Sequence, residues 1–78
     1  MKHKLCCCLL FVFFAGIDTK YNNLIQKALD SSDELTCKLV KFKFTNGNYR
    51  LVPHLFFISI DTFYYKINKF IFKLANNL

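Results

Sequence analysis

Residues 38–52 read KLVKFKFTNGNYRLV, and this stretch decides which fold class the sequence predicts. Apolar side chains at every second position from Val40 to Phe44 alternate with lysines, a period of two that is typical of a half-buried strand. Asn46 and Gly47 both tolerate the positive φ angles of a two-residue turn, so the pair indicates a type I′ hairpin. The stretch therefore predicts a β-hairpin over about 38–52.

The same hairpin argues against a nucleic-acid partner. Pairing across the turn places the aromatic side chains on one face, whereas Lys41, Lys43 and Arg50 lie on the other. Proteins that bind single strands stack the bases on aromatic side chains inside a positively charged groove. Because the period of two separates the aromatic side chains from the cations, the sequence disfavours nucleic-acid binding.

An amphipathic helix is predicted before the hairpin. Apolar side chains between Tyr21 and Leu29 recur at spacings of three and four, with polar side chains between them. Asp18 and Thr19 precede this stretch and belong to the residue types that cap helix N-termini. The helix is expected over about 19–30.

The N-terminus has the pattern of an export signal. A short basic start precedes an uninterrupted apolar run from Leu5 to Ala15, and these are two of the three parts of a secretory signal peptide. A helix over 5–17 would span about 20 Å, against about 30 Å for the hydrocarbon core of a membrane. We therefore expect 1–16 to be a cleaved signal peptide or an uncleaved apolar anchor, and 17–78 to be a small mature region.

The cysteines add candidate modification sites. Cys6, Cys7 and Cys8 lie within the apolar run, where they either contribute apolarity or, in a retained leader, are positions for S-acylation. Three adjacent cysteines lack the C-x₂₋₄-C spacing of a structural metal site, so no metal is expected. Cys37 is the cysteine that cleavage would leave, and it is either a buried thiol or one that pairs between two chains.

The C-terminal third is basic and strongly apolar. Lys66, Lys69 and Lys73 fall on one narrow arc of a helix, opposite a wide apolar face. This is the pattern of a helix that lies in a membrane interface with its basic stripe towards anionic headgroups. A helix is predicted over about 62–75, with an ordinary core-facing helix as the alternative, while 54–60 is compatible with helix or strand.

Catalysis has no support in the sequence. No phosphate-binding glycine loop, nucleophile elbow or paired metal-ligand motif occurs. Cys37 and His54 are the remaining thiol and imidazole that could act together, and they match no family signature. We expect neither enzymatic activity nor a cofactor.

The sequence as a whole predicts one small α+β domain, made of a signal helix, an amphipathic helix, a β-hairpin and a basic amphipathic helix. With 78 residues and a formal charge of +6, the chain is too short for a multi-domain enzyme. The first hypothesis is a secreted, non-enzymatic binding or interaction protein with an unidentified protein partner, which could form a homo-oligomer because no disulfide or metal supports so small a core. The second is a membrane-associated protein, held on an anionic membrane surface by the uncleaved N-terminus and the basic helix. The third is a truncated or accidental reading-frame product without a function of its own.

Overall fold

The chain is a bundle of five α-helices in a computed structural model that describes residues 2–45 and 47–77, with side chains from residue 4 onwards. In chain order the elements are α1 (Lys2–Phe14), α2 (Asn22–Asp30), α3 (Glu34–Phe44), a 3₁₀ turn (Tyr49–Leu51), α4 (Val52–Phe56) and α5 (Ile60–Asn76). Helix accounts for 77% of the structure, and the described residues contain no strand. The predicted α+β class is therefore wrong, and the fold is all-α.

The residues that alternate like a strand form α3. Leu39, Val40 and Phe44 are buried together on one face of this helix. Over so short a stretch the two periods select overlapping positions, because Val40 and Phe44 are four residues apart and share a face in a helix and in a strand alike. The core decides between them, since α3 packs its apolar face against α1 and α5.

Gly47 ends α3 instead of forming a hairpin turn. Its N–H donates to the carbonyl oxygen of Phe42 at 2.9 Å, which is the long bond that closes a Schellman-type helix end. A Cβ added to Gly47 would lie 2.4 Å from that oxygen, so the close approach requires glycine. Asn46, the other predicted turn residue, lies outside the described residues. The β-hairpin predicted over 38–52 is wrong, because a helix, its C-terminal stop and a 3₁₀ turn occupy this stretch.

The helix predicted over 19–30 corresponds to α2, which begins three residues later than predicted and has Tyr21, not Asp18 or Thr19, at its N-cap. Its core-facing side chains are Ile25 and Ala28, which are buried. Before the helix, the Thr19 hydroxyl accepts a hydrogen bond from the Tyr21 N–H at 3.2 Å. The polar turn that follows α2 brings the chain back into α3.

The longest helix, α5, organises the core and packs against all four other helices. It corresponds to the helix predicted over 62–75 and begins two residues earlier, because the Ser59 side chain accepts a hydrogen bond from the Thr62 N–H at 3.1 Å and caps the helix. Its buried face consists of Phe63, Ile67, Phe70, Ile71 and Leu74.

The apolar run at the N-terminus forms α1 and packs into the core. Cys6 and Leu10 are fully buried, and the Phe11 ring meets the Phe44 ring edge-on at 4.9 Å. Export concerns the processing of the chain, so the signal peptide over 1–16 stays a prediction. No helix in the described part of the chain combines the length and the apolarity needed to cross a membrane.

Candidate functional site

The three lysines that the sequence places on one arc line a single cavity between α5 and the turn that joins α2 to α3. The cavity has a volume of about 220 Å³. We call it the lysine cleft; it is lined by Ser31, Ser32, Asp33, Thr36, Tyr65, Lys66, Lys69, Phe70 and Lys73.

Lys73 closes one end of the lysine cleft. Its Nζ donates to Ser31 Oγ at 2.8 Å, and Ser31 Oγ in turn donates to the carbonyl oxygen of Ala28 at 3.1 Å. The Ser32 hydroxyl donates to the same carbonyl at 2.8 Å. The two serines therefore satisfy the C-terminal end of α2, and Lys73 adds a cation where the helix end is partially negative.

Asp33 and Lys66 form the other end. Lys66 Nζ lies 4.0 Å from Asp33 Oδ2, a loose ion pair that contributes little in water. The Thr36 hydroxyl donates to Asp33 Oδ1 at 2.5 Å. This hydrogen bond, with a smaller contribution from Lys66, lowers the pKa of the Asp33 carboxyl below its usual value. Asp33 is therefore ionised at neutral pH.

Lys69 lies between the other two lysines and is the least engaged of them. Its Nζ is 5.9 Å from the centre of the Tyr65 ring, a cation–π contact at the outer limit of distance. Among the residues that the structure describes, no hydroxyl, carbonyl or carboxylate accepts a hydrogen bond from this ammonium. The lysine cleft thus brings three cations together with one acid.

The sequence predicts that these three lysines form a membrane-facing stripe, and the structure places all three along the lysine cleft. The side chains lie along the flank of α5 next to the α2–α3 turn, and Lys66 is only 28% exposed. Lys69 and Lys73 are exposed, and so are Tyr65 and Phe72 on the adjoining face of α5, at 64% and 70%. Whether the lysines meet headgroups stays a prediction.

The candidate cysteines differ in access. In α1, Cys6 is buried, Cys7 is half-buried and Cys8 is exposed, so Cys8 is the thiol that acylation could reach without opening the fold. Burial raises the pKa of the Cys7 thiol, and nearby Lys43 partly offsets this. Cys37 is half-buried and its Sγ donates to the carbonyl oxygen of Leu29 at 3.0 Å. Burial, together with Asp33 and other acids, raises its pKa as well.

A second surface was missed by sequence reasoning. Four large apolar side chains in nine consecutive residues are exposed: Tyr49 at 43%, Leu51 at 47%, Leu55 at 54% and Phe57 at 88%. We call these four side chains the α4 surface. Sequence reasoning assigned Tyr49 and Leu51 to a paired strand, which concealed that the 3₁₀ turn and α4 present them outwards. Val52 anchors the segment, because its side chain is fully buried.

Phe57 has an unusual backbone. It is the residue that ends α4, and its φ angle of 58° and ψ angle of 37° place it in the left-handed region. A bulky side chain seldom adopts this conformation, which costs about 1–2 kcal/mol relative to the right-handed region. The exposed ring of Phe57 does not recover this cost by packing in the core.

The surroundings of the α4 surface are basic. From Leu35 to Ile60 the chain carries the cations Lys38, Lys41, Lys43 and Arg50; Lys38 pairs with Glu34 at 3.1 Å, and Asp61 follows Ile60. The Arg50 guanidinium lies 5.9 Å from the Tyr49 ring centre. The Tyr49 ring is 6.2 Å from the Tyr64 ring, over which Lys43 is placed at 5.9 Å. Aromatic rings and cations are therefore adjacent here.

The described side chains do not assemble a metal centre, since no three His, Cys, Asp or Glu residues among them could hold an ion together. The hydrogen bond of Cys37 goes to a backbone carbonyl, so its proton is not directed at an imidazole base. No protein-family model, curated protein or solved structure matches the chain.

Proposed function

We propose that this chain is a small, non-enzymatic binding protein that attaches peripherally to anionic membrane surfaces through the α4 surface. The observation that carries the proposal is Phe57, the most exposed large apolar side chain, held in a left-handed backbone conformation at the end of α4. Strained residues concentrate where the surrounding structure serves a function. Exposed apolar patches mark places where a protein meets another protein or a membrane.

Transfer of the Phe57 ring from water into the membrane interface supplies a driving force. Full burial of a phenylalanine side chain is worth about 1.5–3 kcal/mol, and Phe57 is 88% exposed, so most of that value is available. Leu51 and Leu55 are four residues apart on one helical face and add to the same contact.

Charge supports an anionic membrane as the partner. Each Lys or Arg near an anionic leaflet contributes about 1 kcal/mol of attraction, which salt weakens. Arg50 lies within the segment that forms the α4 surface and Lys41 lies eight residues before it, both exposed; the nearest acid in sequence is Asp61, four residues after Phe57. A protein partner with an acidic, apolar groove would offer similar chemistry, and a failure to bind anionic vesicles in the test below is the outcome that would favour it.

Secretion remains the first expectation for localisation, with membrane attachment as its alternative. Peripheral binding through the α4 surface does not use α1 as an anchor, although cleavage after residue 16 would remove α1 from the fold. It also differs from the sequence-based alternative, in which the uncleaved N-terminus and the basic helix hold the protein. The N-terminal residues Cys6 and Leu10 belong to the core instead.

The test is sedimentation of the full chain with vesicles of phosphatidylcholine, with and without phosphatidylserine. We expect binding only to the anionic vesicles, and we expect it to weaken as salt is added. Substitution Phe57→Gly removes the ring and relieves the left-handed strain, so it is expected to lower the partition coefficient at least about tenfold without loss of folding.

Phe72→Ala is the matched control. Phe72 is also exposed, at 70%, but it lies on α5 away from the α4 surface, so its truncation should change the partition coefficient less than about twofold. Equal losses in the two variants, or no binding to anionic vesicles, would overturn the proposal. Concentration-dependent self-association that Phe57→Gly abolishes, in the absence of vesicle binding, would reassign the α4 surface to a second copy of the chain.

A further inference from the structure

We propose that the lysine cleft binds a phosphomonoester anion, using Lys66, Lys69 and Lys73 as its donors. This inference is independent of the membrane proposal, because it concerns a different part of the molecule. Tyr64 adjoins the α4 surface on one flank of α5, and the three lysines lie on the other flank.

The lysine cleft carries an excess of positive charge. Three ammonium groups and one carboxylate line a volume of about 220 Å³. Lys66 and Lys69 are three residues apart and Lys69 and Lys73 are four apart, spacings at which like charges on a helix repel. The C-terminal end of α2 offsets part of the charge at Lys73, but the partially positive N-terminal end of α3 lies on the same turn and opposes it. A bound dianion would neutralise the excess.

The three lysines have N–H donors that their contacts within the protein leave unused. An ammonium group has three donors. Lys73 uses one on Ser31 Oγ, Lys66 makes a loose contact with Asp33, and Lys69 makes no hydrogen bond or ion pair with the described residues. A phosphate group accepts several charge-assisted hydrogen bonds through its oxygens, which matches the donors that remain.

The volume of the lysine cleft suits a small anion. Pockets for drug-sized organic ligands have volumes of about 300–1,000 Å³. The lysine cleft, at about 220 Å³, is smaller and is open at the surface, which suits a small anionic group more than a large apolar ligand.

A phosphomonoester could be part of a soluble molecule or of a lipid headgroup, and two titrations distinguish them. In the first, inorganic phosphate is added to the ¹⁵N-labelled full chain at constant ionic strength, with chloride as the reference anion. In the second, vesicles containing phosphatidic acid are compared with vesicles containing phosphatidylserine at matched surface charge.

For a soluble ligand we expect saturable shifts of the amide signals at Ser31, Ser32 and the Tyr65–Lys73 turns with phosphate and not with chloride. For a lipid ligand we expect no such shifts, but tighter binding to phosphatidic acid than to phosphatidylserine. Lys69→Gln combined with Lys73→Gln should weaken whichever interaction is seen by at least about tenfold.

Lys20→Gln is the matched control, since Lys20 is an exposed cation that does not line the cleft, and it should change the affinity less than about twofold. Phosphate shifts spread evenly over all lysines in the wild-type chain would overturn the proposal, even if a variant failed to fold. An unchanged affinity in the folded double variant would also overturn it. Phe57→Gly should leave phosphate binding intact, so this proposal and the membrane proposal can fail separately.

Discussion

Helix α3 and the segment 49–57 both combine apolar, aromatic and basic side chains, although α3 has three lysines and the segment one arginine; α3 buries several of its apolar side chains, whereas the segment exposes most of its own. Helix α3 is eleven residues long, enough for three turns, and its period gathers Leu39, Val40 and Phe44 on a face that meets α1 and α5. The 3₁₀ turn and α4 together have eight residues, and only Val52 is buried among them. The apolar side chains that reach the core are those that helical spacing gathers on a face packed against other helices, as in α3.

The largest expected effect on folding stability comes from truncating a leucine in α3, compared with truncating a leucine in the segment 49–57. Leu39→Ala removes a fully buried side chain and should destabilise the fold by about 2–5 kcal/mol. Leu55→Ala removes a side chain that is 54% exposed and should change stability by less than about 0.5 kcal/mol. Urea unfolding followed by circular dichroism measures both. Similar losses would mean that the two regions do not differ as described.

Gly47, at the boundary between the two regions, should be the next most sensitive position. The added Cβ of Gly47→Ala would lie 2.4 Å from the Phe42 oxygen, and relief of this overlap should cost about 1–3 kcal/mol. Gly16→Ala is the control, because its Cβ meets nothing within 4 Å and only the φ angle of 82° opposes it, at about 1 kcal/mol. A cost at Gly47 no larger than that at Gly16 would argue against the tight end of α3.

Substitution of Phe57 is expected to have a smaller effect on folding stability, and to increase it. Phe57→Gly relieves about 1–2 kcal/mol of left-handed strain and loses about 0.5–1 kcal/mol through the greater freedom of glycine in the unfolded chain. The net change should be between no effect and a stabilisation of about 1.5 kcal/mol, measured by the same urea unfolding. A clear destabilisation would show that the ring packs against the fold instead of projecting from it.

The smallest expected effect is on the loss of folding stability at acidic pH, and it is tested at Asp33. Because the pKa of the Asp33 carboxyl is lowered, mainly by the Thr36 hydroxyl, its contribution to stability is present above the usual value of 3.8 and is lost as the pH falls below it. Asp33→Asn should therefore lose stability relative to the wild type above that pH and should flatten the fall in Tm below it. Thermal unfolding of both chains between neutral and acidic pH measures the difference. Parallel Tm profiles would exclude this coupling.

The sequence allows α2 and α5 to be predicted as helices, but not α3 or α4. Helix α5 extends over seventeen residues, so a period near 3.6 is distinguishable from a period of two. Alternation over 38–44 is too short for that distinction, and Gly47 indicates a turn without saying whether a strand or a helix precedes it. The choice follows from tertiary packing against α1 and α5, which no local pattern contains.

In the candidate sites, too, some features could be predicted from the sequence and others could not. Helical spacing fixes the relative angles of Lys66, Lys69 and Lys73, so their common arc could be predicted. Their neighbours could not, because Ser31 and Asp33 are more than thirty residues away in sequence and meet α5 only through the packing of α2 and α3. The left-handed conformation of Phe57 runs against its residue type and has no local signature.

The most direct test of the contrast between α3 and segment 49–57, and of the membrane role assigned to the latter, is amide hydrogen exchange of the full chain with and without anionic vesicles. Peptides from α3 should be protected in both conditions, because the helix is held in the core. Peptides covering 49–57 should exchange faster than those from α3 in the free protein and become protected when phosphatidylserine vesicles are added. Unchanged exchange in 49–57, together with new protection confined to another part of the chain, would contradict the function proposed for the α4 surface.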